Sequence, residues 1–355
     1  MKTDYVRGHV QASFSINGED ITQGELGAFS EVRISLPDHG PARFEATFLA
    51  TNPKWDLYEK VGSGGTVEIS VGYGDKPIVF VGEVTNLRYR GQRQEVAMLV
   101  LEGSDRLHRM GRGSRQRVLK DVTDGDLVKK AIQEAGLKAK DVLDPGVKYP
   151  HIAQFNQTNL DFLMDRAARY GYCLWAKGDD IYFRPRGAEG KEHELSLIDD
   201  VGEANLKTTI ANVTPAICIR GWDPTKKQEQ VHTAKTGDEE RLSTQGSGGT
   251  KIAGDFVDGK ITYGDALARS IEETELIAKG QLHRRSMAFA LGEVTILGDP
   301  EVKPADRVKI DGLGWGEEGS YYVGQVWHKW VRQPGEGEEV FVTRLKLRRN
   351  HLPEA

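Results

Sequence analysis

Cysteine is scarce: the 355-residue chain has two, Cys173 in YCLW and Cys218 in ICI. Both sit in apolar, strand-like settings, which excludes a disulfide scaffold and reads as buried thiols kept in a reducing compartment. No apolar run approaches the roughly 18 residues of a membrane-spanning helix. The opening MKTDYVRGHVQASFSING has no apolar h-region, so no secretory leader is expected. Positive charge is not in excess either: 48 Lys and Arg against 53 Asp and Glu leave a net −5, with no global pull toward nucleic acid or anionic lipid. The nine histidines are scattered, and with two apolar cysteines no zinc set assembles.

Catalytic patterns are equally thin. SGGTK, Ser247 to Lys251, lacks the glycine spacing and leading strand of a P-loop, and KEHEL around His193 lacks the HExxH helix. His328 in VWHKW reads as packing between tryptophans, and GDEE and GEGEE read as solvated turns. No spacing positions a lysozyme-like pair of carboxylates. No catalytic, cofactor-binding or metal-ligating residues are therefore expected, and no cofactor.

What is present is β patterning. SEVRISLP, ARFEATFLA, TVEISVGYG, IVFVGEVTNLRYR and QEVAMLVLEGSD alternate apolar and polar residues, punctuated by PDHGP, GSGG and GDKP. Residues 1–105 read as a first β-barrel. Residues 106–190 read as a small α+β domain of two helices and a hairpin. DVTDGDLVKKAIQEAGL has Thr123 as N-cap and Gly136 as stop, with Leu127, Val128, Ala131, Ile132 and Ala135 in one stripe. QTNLDFLMDRAARYG has Thr158 and Asp161 as a capping box and ends at Gly171, and YCLWAKGDDIYFRP folds back as the hairpin. Residues 191–355 read as a second β-barrel with a helix at 264–284. Its polar stretch 223–262 is expected as a long surface loop, mobile until a partner orders it.

The two β regions echo each other. IVFVGEVTNLR at residues 78–88 returns as SYYVGQVWHKW at 320–330, so that Val81, Gly82 and Val84 correspond to Val323, Gly324 and Val326. Upstream, Val67 and Ile69 correspond to Val308 and Ile310. Glycine inside a strand marks a bulge or tight bend, as a barrel corner needs. The fold class is therefore mainly β with an α+β insertion: two similar antiparallel β-barrel domains flanking a small helix-plus-hairpin domain.

These stretches resemble the late control D proteins of contractile phages and the hub portion of VgrG proteins. The matching segments are GGTVEISVGYGDKPIVFVGEVTNLRY with VLEGSDRLHRM, then NQTNLDFLMDRAARYGYCLWAKGDDIYFRP, then LGDPEVKPADRVKIDGLG with GSYYVGQVWHKW and FVTRLKLRR. The resemblance implies a non-enzymatic baseplate hub of a contractile tail or phage-derived injection particle. Such a hub is a homotrimer whose six barrels match a hexameric inner tube and whose three-fold axis matches a trimeric spike. Its partners would be itself, the inner tube protein, a spike protein separate from this chain, and other baseplate proteins. No membrane or specific nucleic-acid partner is implied. It would be made in the bacterial cytoplasm and carried in the virion or tail-like particle.

One charged feature stands apart. RLHRMGRGSRQRVLK carries Arg106, Arg109, Arg112, Arg115, Arg117 and Lys120 with no acid between them. It reads either as a solvated domain junction or as an electropositive partner interface facing an acidic tube, spike or neighbouring subunit. Two rival functions remain at this level. A tail-associated peptidoglycan hydrolase would need a catalytic domain beside the barrels. A carbohydrate-binding adhesin would need solvent-facing aromatics, whereas Tyr321, Tyr322, Trp327 and Trp330 lie within a strand and read as packing groups.

Overall fold

The computed structural model describes residues 10–24, 27–50, 61, 64–73, 78–91, 97–185, 187, 190–240, 242, 246–265, 268–314, 319–332 and 339–352. The turn expected at GDKP and all of GEGEE except Glu339 lie outside them. The chain begins with β1 (Val10–Ile16), β2 (Glu19–Asp20), β3 (Gln23–Gly24), β4 (Gly27–Pro37), β5 (Arg43–Ala50), β6 (Thr66–Tyr73), β7 (Ile78–Arg90) and β8 (Ala97–Ser104). A 3-10 turn, Arg106–Gly111, leads to β9 (Arg115–Thr123), α1 (Asp124–Glu134), β10 (Lys138–Val142) and β11 (Lys148–Gln157). Then come α2 (Asn159–Tyr170), β12 (Tyr172–Lys177), β13 (Asp180–Pro185), β14 (Glu192–Ser196) and β15 (Val201–Thr208). Next are β16 (Ala216–Asp223), β17 (Gln228–Lys235), α3 (Gly249–Phe256), β18 (Lys260–Gly264) and α4 (Ile271–Ser286). The last strands are β19 (Ala290–Leu297), β20 (Arg307–Asp311), β21 (Ser320–Arg332) and β22 (Glu339–Arg349).

Period-two alternation drives the main sheet. Along β22, Phe341, Thr343, Leu345, Leu347 and Arg349 are buried while the residues between them are not. The strands join into one 14-stranded sheet whose main path runs β15-β19-β22-β21-β4-β5-β8-β7-β6-β1-β2. The protein is thus mainly β, a large curled and almost wholly antiparallel sheet with few helices. The join between its first and last segments is β21 against β4, from Gln325↔Pro37 to Val331↔Glu31. The core of the first segment, around Phe14, Phe29, Phe44 and Phe48, takes in Trp330 and Phe341 from the last. A second cluster, around Val294, Val308, Val326 and Leu345, meets the first at Leu36 of β4.

The echoed strands β7 and β21 are both 13 residues long, and each bends out of register against its neighbour. In β21 the irregularity falls at Gly324. In β7 it falls at Thr85, and Gly82 serves close approach instead, since a Cβ there would stand 2.5 Å from the Ser104 carbonyl oxygen. The echo is therefore a shared strand design rather than an identical register.

Between the two sheet segments, Thr123 caps α1 in a reciprocal box with Asp126, Gly136 has φ +69°, and α2 starts at Thr158 and stops at left-handed Gly171. β12 and β13 form the hairpin, with Lys177 paired to Asp180. The strands β10, parallel to β13, and β9–β11 were not legible in the sequence.

Residues 223–262 correct the expectation of a mobile loop. They carry β17, α3 and β18, and β16–β18 make a separate three-stranded sheet. Its Ile217, Ile219 and Ala234 pack on Ile277, Ala278 and Leu282 of α4 and on Tyr170 of α2. Some of its polar groups are buried against one another, while others, such as Thr225 to Glu229, are exposed. Glu239 and Thr250 are both buried and share a hydrogen bond, and the Gly249 N–H donates to the Asn350 carbonyl at 2.8 Å. Glu239 also overturns the solvated reading of GDEE. The helix expected over 264–284 begins later, at Ile271, because the Ser270 hydroxyl accepts the Glu273 N–H at 3.1 Å as its N-cap. Among the described residues, no helix is long and apolar enough to cross a membrane.

Candidate assembly surface

The arginine strip divides when folded. Asp105 opens the 3-10 turn, accepting the Ala42 N–H at 2.8 Å and the Leu107 N–H at 3.0 Å. Its burial raises the carboxyl to about 7 against the pull of those two bonds. The turn lays Arg106, His108 and Arg109 over Glu83 of β7, which is 4% exposed. His108 Nε2 lies 2.8 Å from Glu83 Oε2, and Arg109 Nε donates to that oxygen at 3.1 Å. Burial opposes ionisation of Glu83, yet the Arg109 and His108 bonds outweigh it and hold the carboxyl below its usual range. The same bond holds the Arg109 guanidinium more firmly protonated. Arg106 also pairs with Asp179 in the β12–β13 turn.

Arg117 turns inward as well. Its guanidinium donates to Gln154 Oε1 at 2.9 Å, Glu134 Oε1 at 2.5 Å and Asn159 Oδ1 at 3.0 Å, tying β9 to β11, α1 and α2. The exposed members are Arg112, Arg115 and Lys120, whose side chains form no ion pair among the described residues. Arg115 and Lys120 lie on the β9–β11 ribbon. There Gln116 pairs with Phe155, Val118 with Ala153 and Lys120 with His151, so these six side chains share one outward face. Three of the six cations are thus held inward by acids or amides, and three remain for a partner. The counter-charges Glu83, Asp179 and Glu134 were missed because each lies far along the chain from the strip.

Among the described residues, no group of three His, Cys, Asp or Glu could hold a metal ion. His193 pairs with Asp306 at 2.9 Å. His328, 2% exposed, stands beside Phe341 rather than between tryptophans, with Nδ1 3.0 Å from the Thr343 hydroxyl. Burial depresses this imidazole to about 3. Tyr321, Tyr322 and Trp330 are buried, and Trp327 is half-buried with Arg344 5.7 Å from its ring. SGGTK opens α3, where a Cβ at Gly249 would stand 2.4 Å from the Phe289 ring, so packing requires this glycine.

One buried cluster has the composition of an active site without access to solvent. Arg166 Nη2 donates to Asp124 at 2.8 Å, the Tyr149 hydroxyl lies 2.9 Å from Glu273, and Arg169 reaches Glu273 at 2.7 Å and also Asp265. Asp124 and Glu273 are each 1% exposed. Burial raises the Tyr149 and Tyr170 hydroxyls, while Asp124 outweighs burial and keeps Arg166 charged. The cluster locks α1, α2 and β11 to α4. An open groove of about 860 Å3 crosses the outer sheet face at the β4–β21 join, flanked by Arg33, Arg43, Glu45, Glu102 and Arg344. Its charges are already paired in part, as Arg33 is with Glu31 at 2.7 Å and Glu45 at 3.6 Å.

The backbone arrangement has solved counterparts. The 43 kDa tail protein of prophage MuSo2 from Shewanella oneidensis matches at TM-score 0.66 and 13% identity, over 96% of this chain and 98% of that one. The tail protein from Neisseria meningitidis MC58 matches at TM-score 0.66 and 15% identity, over 96% of each. An E. coli component of the type VI secretion system matches at TM-score 0.61 and 12% identity, over 96% of this chain and 79% of that one. At such identities the likeness is one of fold. No curated protein matches in sequence. A family model described as the Alg8 N-terminal domain matches residues 57–331, more than half of the chain, and the protein belongs to that family.

Proposed function

We propose that the protein is a structural hub of a contractile tail or phage-derived injection particle. Three copies form a ring that joins a hexameric inner tube to a trimeric spike and contacts other baseplate proteins. The observation that carries this reading is the reciprocity of the fold match: the chain and two tail proteins cover one another almost end to end. The echoed β7 and β21 within one sheet add a second support, since two similar segments in each of three chains present six similar surfaces. In this reading the division 1–105, 106–190 and 191–355 separates two ring-forming β segments from a unit between them. The exposed Arg112, Arg115 and Lys120 belong to an assembly surface, and Arg106, Arg109 and Arg117 hold that surface in shape. The protein works by binding, without a catalytic step, and reaches the particle from the bacterial cytoplasm.

The test is the mass of the purified chain in solution by sedimentation, together with electron microscopy of particles from cells lacking it. A trimer, and particles whose tubes lack spikes, are expected. A chain monomeric at every concentration, or particles unchanged by its loss, would overturn the reading.

A further inference from the structure

Two surfaces on the chain are each incomplete and are complementary to one another. The first is the outer face of the β9–β11 ribbon, a two-stranded sheet that pairs with no other strand among the described residues. On it Val118 is 60% and Phe155 66% exposed, with exposed Lys120 on the same face and exposed Arg112 just ahead of β9. The second is the end of α3 and the residues after it, where Asp255, Phe256, Val257 and Asp258 are consecutive and all exposed. Phe256 is 74% and Val257 59% exposed. The last turn of α3 carries no basic residue. Asp255 lies in that turn and Asp258 just beyond it, near the negative end of the helix dipole, where cations are favoured.

We propose that these surfaces meet between neighbouring copies of this chain. Phe256 and Val257 of one copy pack on Val118 and Phe155 of the next, while Asp255 and Asp258 face Arg112 and Lys120. A second copy is the occupant because the chain itself supplies both members of the pair: apolar pairs of similar exposure, ringed by opposite charge. The contact is heterologous, ribbon to knob, so a closed ring satisfies every copy and an open chain leaves one surface of each kind bare. The apolar residues supply affinity, and the charges set register and speed encounter. This inference rests on the ring-forming reading above and adds to that ring a contact from the middle unit of one copy to the last segment of the next.

The experiment uses the full chain and two independent readouts. In sedimentation, Asp255→Lys with Asp258→Lys, and separately Arg112→Glu with Lys120→Glu, should each weaken assembly about thirtyfold, because each sets like charges against one another. All four substitutions in one chain should restore it, which requires that the substituted surfaces still fold. In the second readout, Val118→Cys and Phe256→Cys chains are mixed and oxidised. A crosslinked dimer should form in the mixture far faster than in either variant alone. If wild-type chains assemble but both charge swaps leave assembly unchanged, or the mixture crosslinks no faster than its controls, the surfaces are wrong while the ring-forming reading stands. Wild-type chains that never assemble overturn both.

Discussion

Glu83 decides what the arginine strip can do. It is the charged residue of the VGEV echo, and its counterpart Gln325 is neutral, bonding to the Ser35 hydroxyl at 3.0 Å. Glu83→Gln leaves Arg106 and Arg109 without their buried carboxylate and should cost about 3 kcal/mol in denaturant unfolding. Arg112→Ala, at an exposed and unpaired site, should cost under about 0.5 kcal/mol. The same reasoning removes Arg109 from any charge-reversal test of assembly, because Arg109→Glu would set two carboxylates together. Two buried groups give opposite pH dependences. His328, depressed to about 3, adds stability that is complete above its unfolded value near 6.5 and is lost as pH falls toward 3, in total of order 5 kcal/mol. Asp105, raised to about 7, adds stability that is complete below about 4 and is lost as pH rises through 7. Thermal melts across pH should therefore flatten on the acid side in His328→Leu and between about pH 4 and 7 in Asp105→Asn. Unchanged profiles would mean that neither group titrates as its burial dictates.

At the scale of elements, α2 and α4 meet backbone to backbone. A Cβ on Gly280 of α4 would stand 2.3 Å from the Tyr170 carbonyl oxygen, and the Gln281 amide donates to the carbonyls of Ala168 and Arg169 at 2.9 and 3.2 Å. These bonds add a donor at the end of α2, where helix carbonyls run short of partners, although Ala168 also accepts the Gly171 N–H at 3.4 Å. Alanine usually improves a helix by about 1 kcal/mol over glycine. Here the collision with backbone should reverse that sign, so Gly280→Ala should lower the melting temperature and loosen the Asp124–Arg166–Tyr149–Glu273 cluster beside it. A raised melting temperature would show that the helices separate freely. Thr123→Ala, by contrast, removes only the α1 cap and should cost about 1 kcal/mol.

At the scale of the molecule, the β4–β21 junction makes one cooperative body of two echoed segments. Trp330, fully buried, comes from the last segment and packs on Phe29 of the first, with ring centroids 4.9 Å apart. Trp330→Ala should cost about 3–5 kcal/mol. It should lower a single transition of the whole sheet, read by far-ultraviolet circular dichroism and by the remaining tryptophans alike. Two separated transitions would mean that each segment folds alone. In the proposed ring, one continuous sheet would hold the two similar surfaces of each copy at fixed spacing.

The sequence by itself determined the pieces. Alternation placed β4 to β8 and β19 to β22, Thr123 and Thr158 announced the starts of α1 and α2, and the glycine echo announced two similar strands. These are local matters, settled by side-chain period and by hydrogen bonds spanning three or four residues. The tertiary structure decided which polar residues meet water. Residues 223–262 looked too polar to order themselves, yet buried Thr250 donates to buried Glu239, and buried Asn350 accepts the Leu242 N–H. Arg106 and Arg109 looked free, yet they lie over Glu83, which is 26 residues from Arg109 in the chain. The join of β21 to β4 likewise spans almost the whole sequence. A residue's type fixes what it can bond to, but only the fold brings the partner, and no periodicity encodes an acid from another strand.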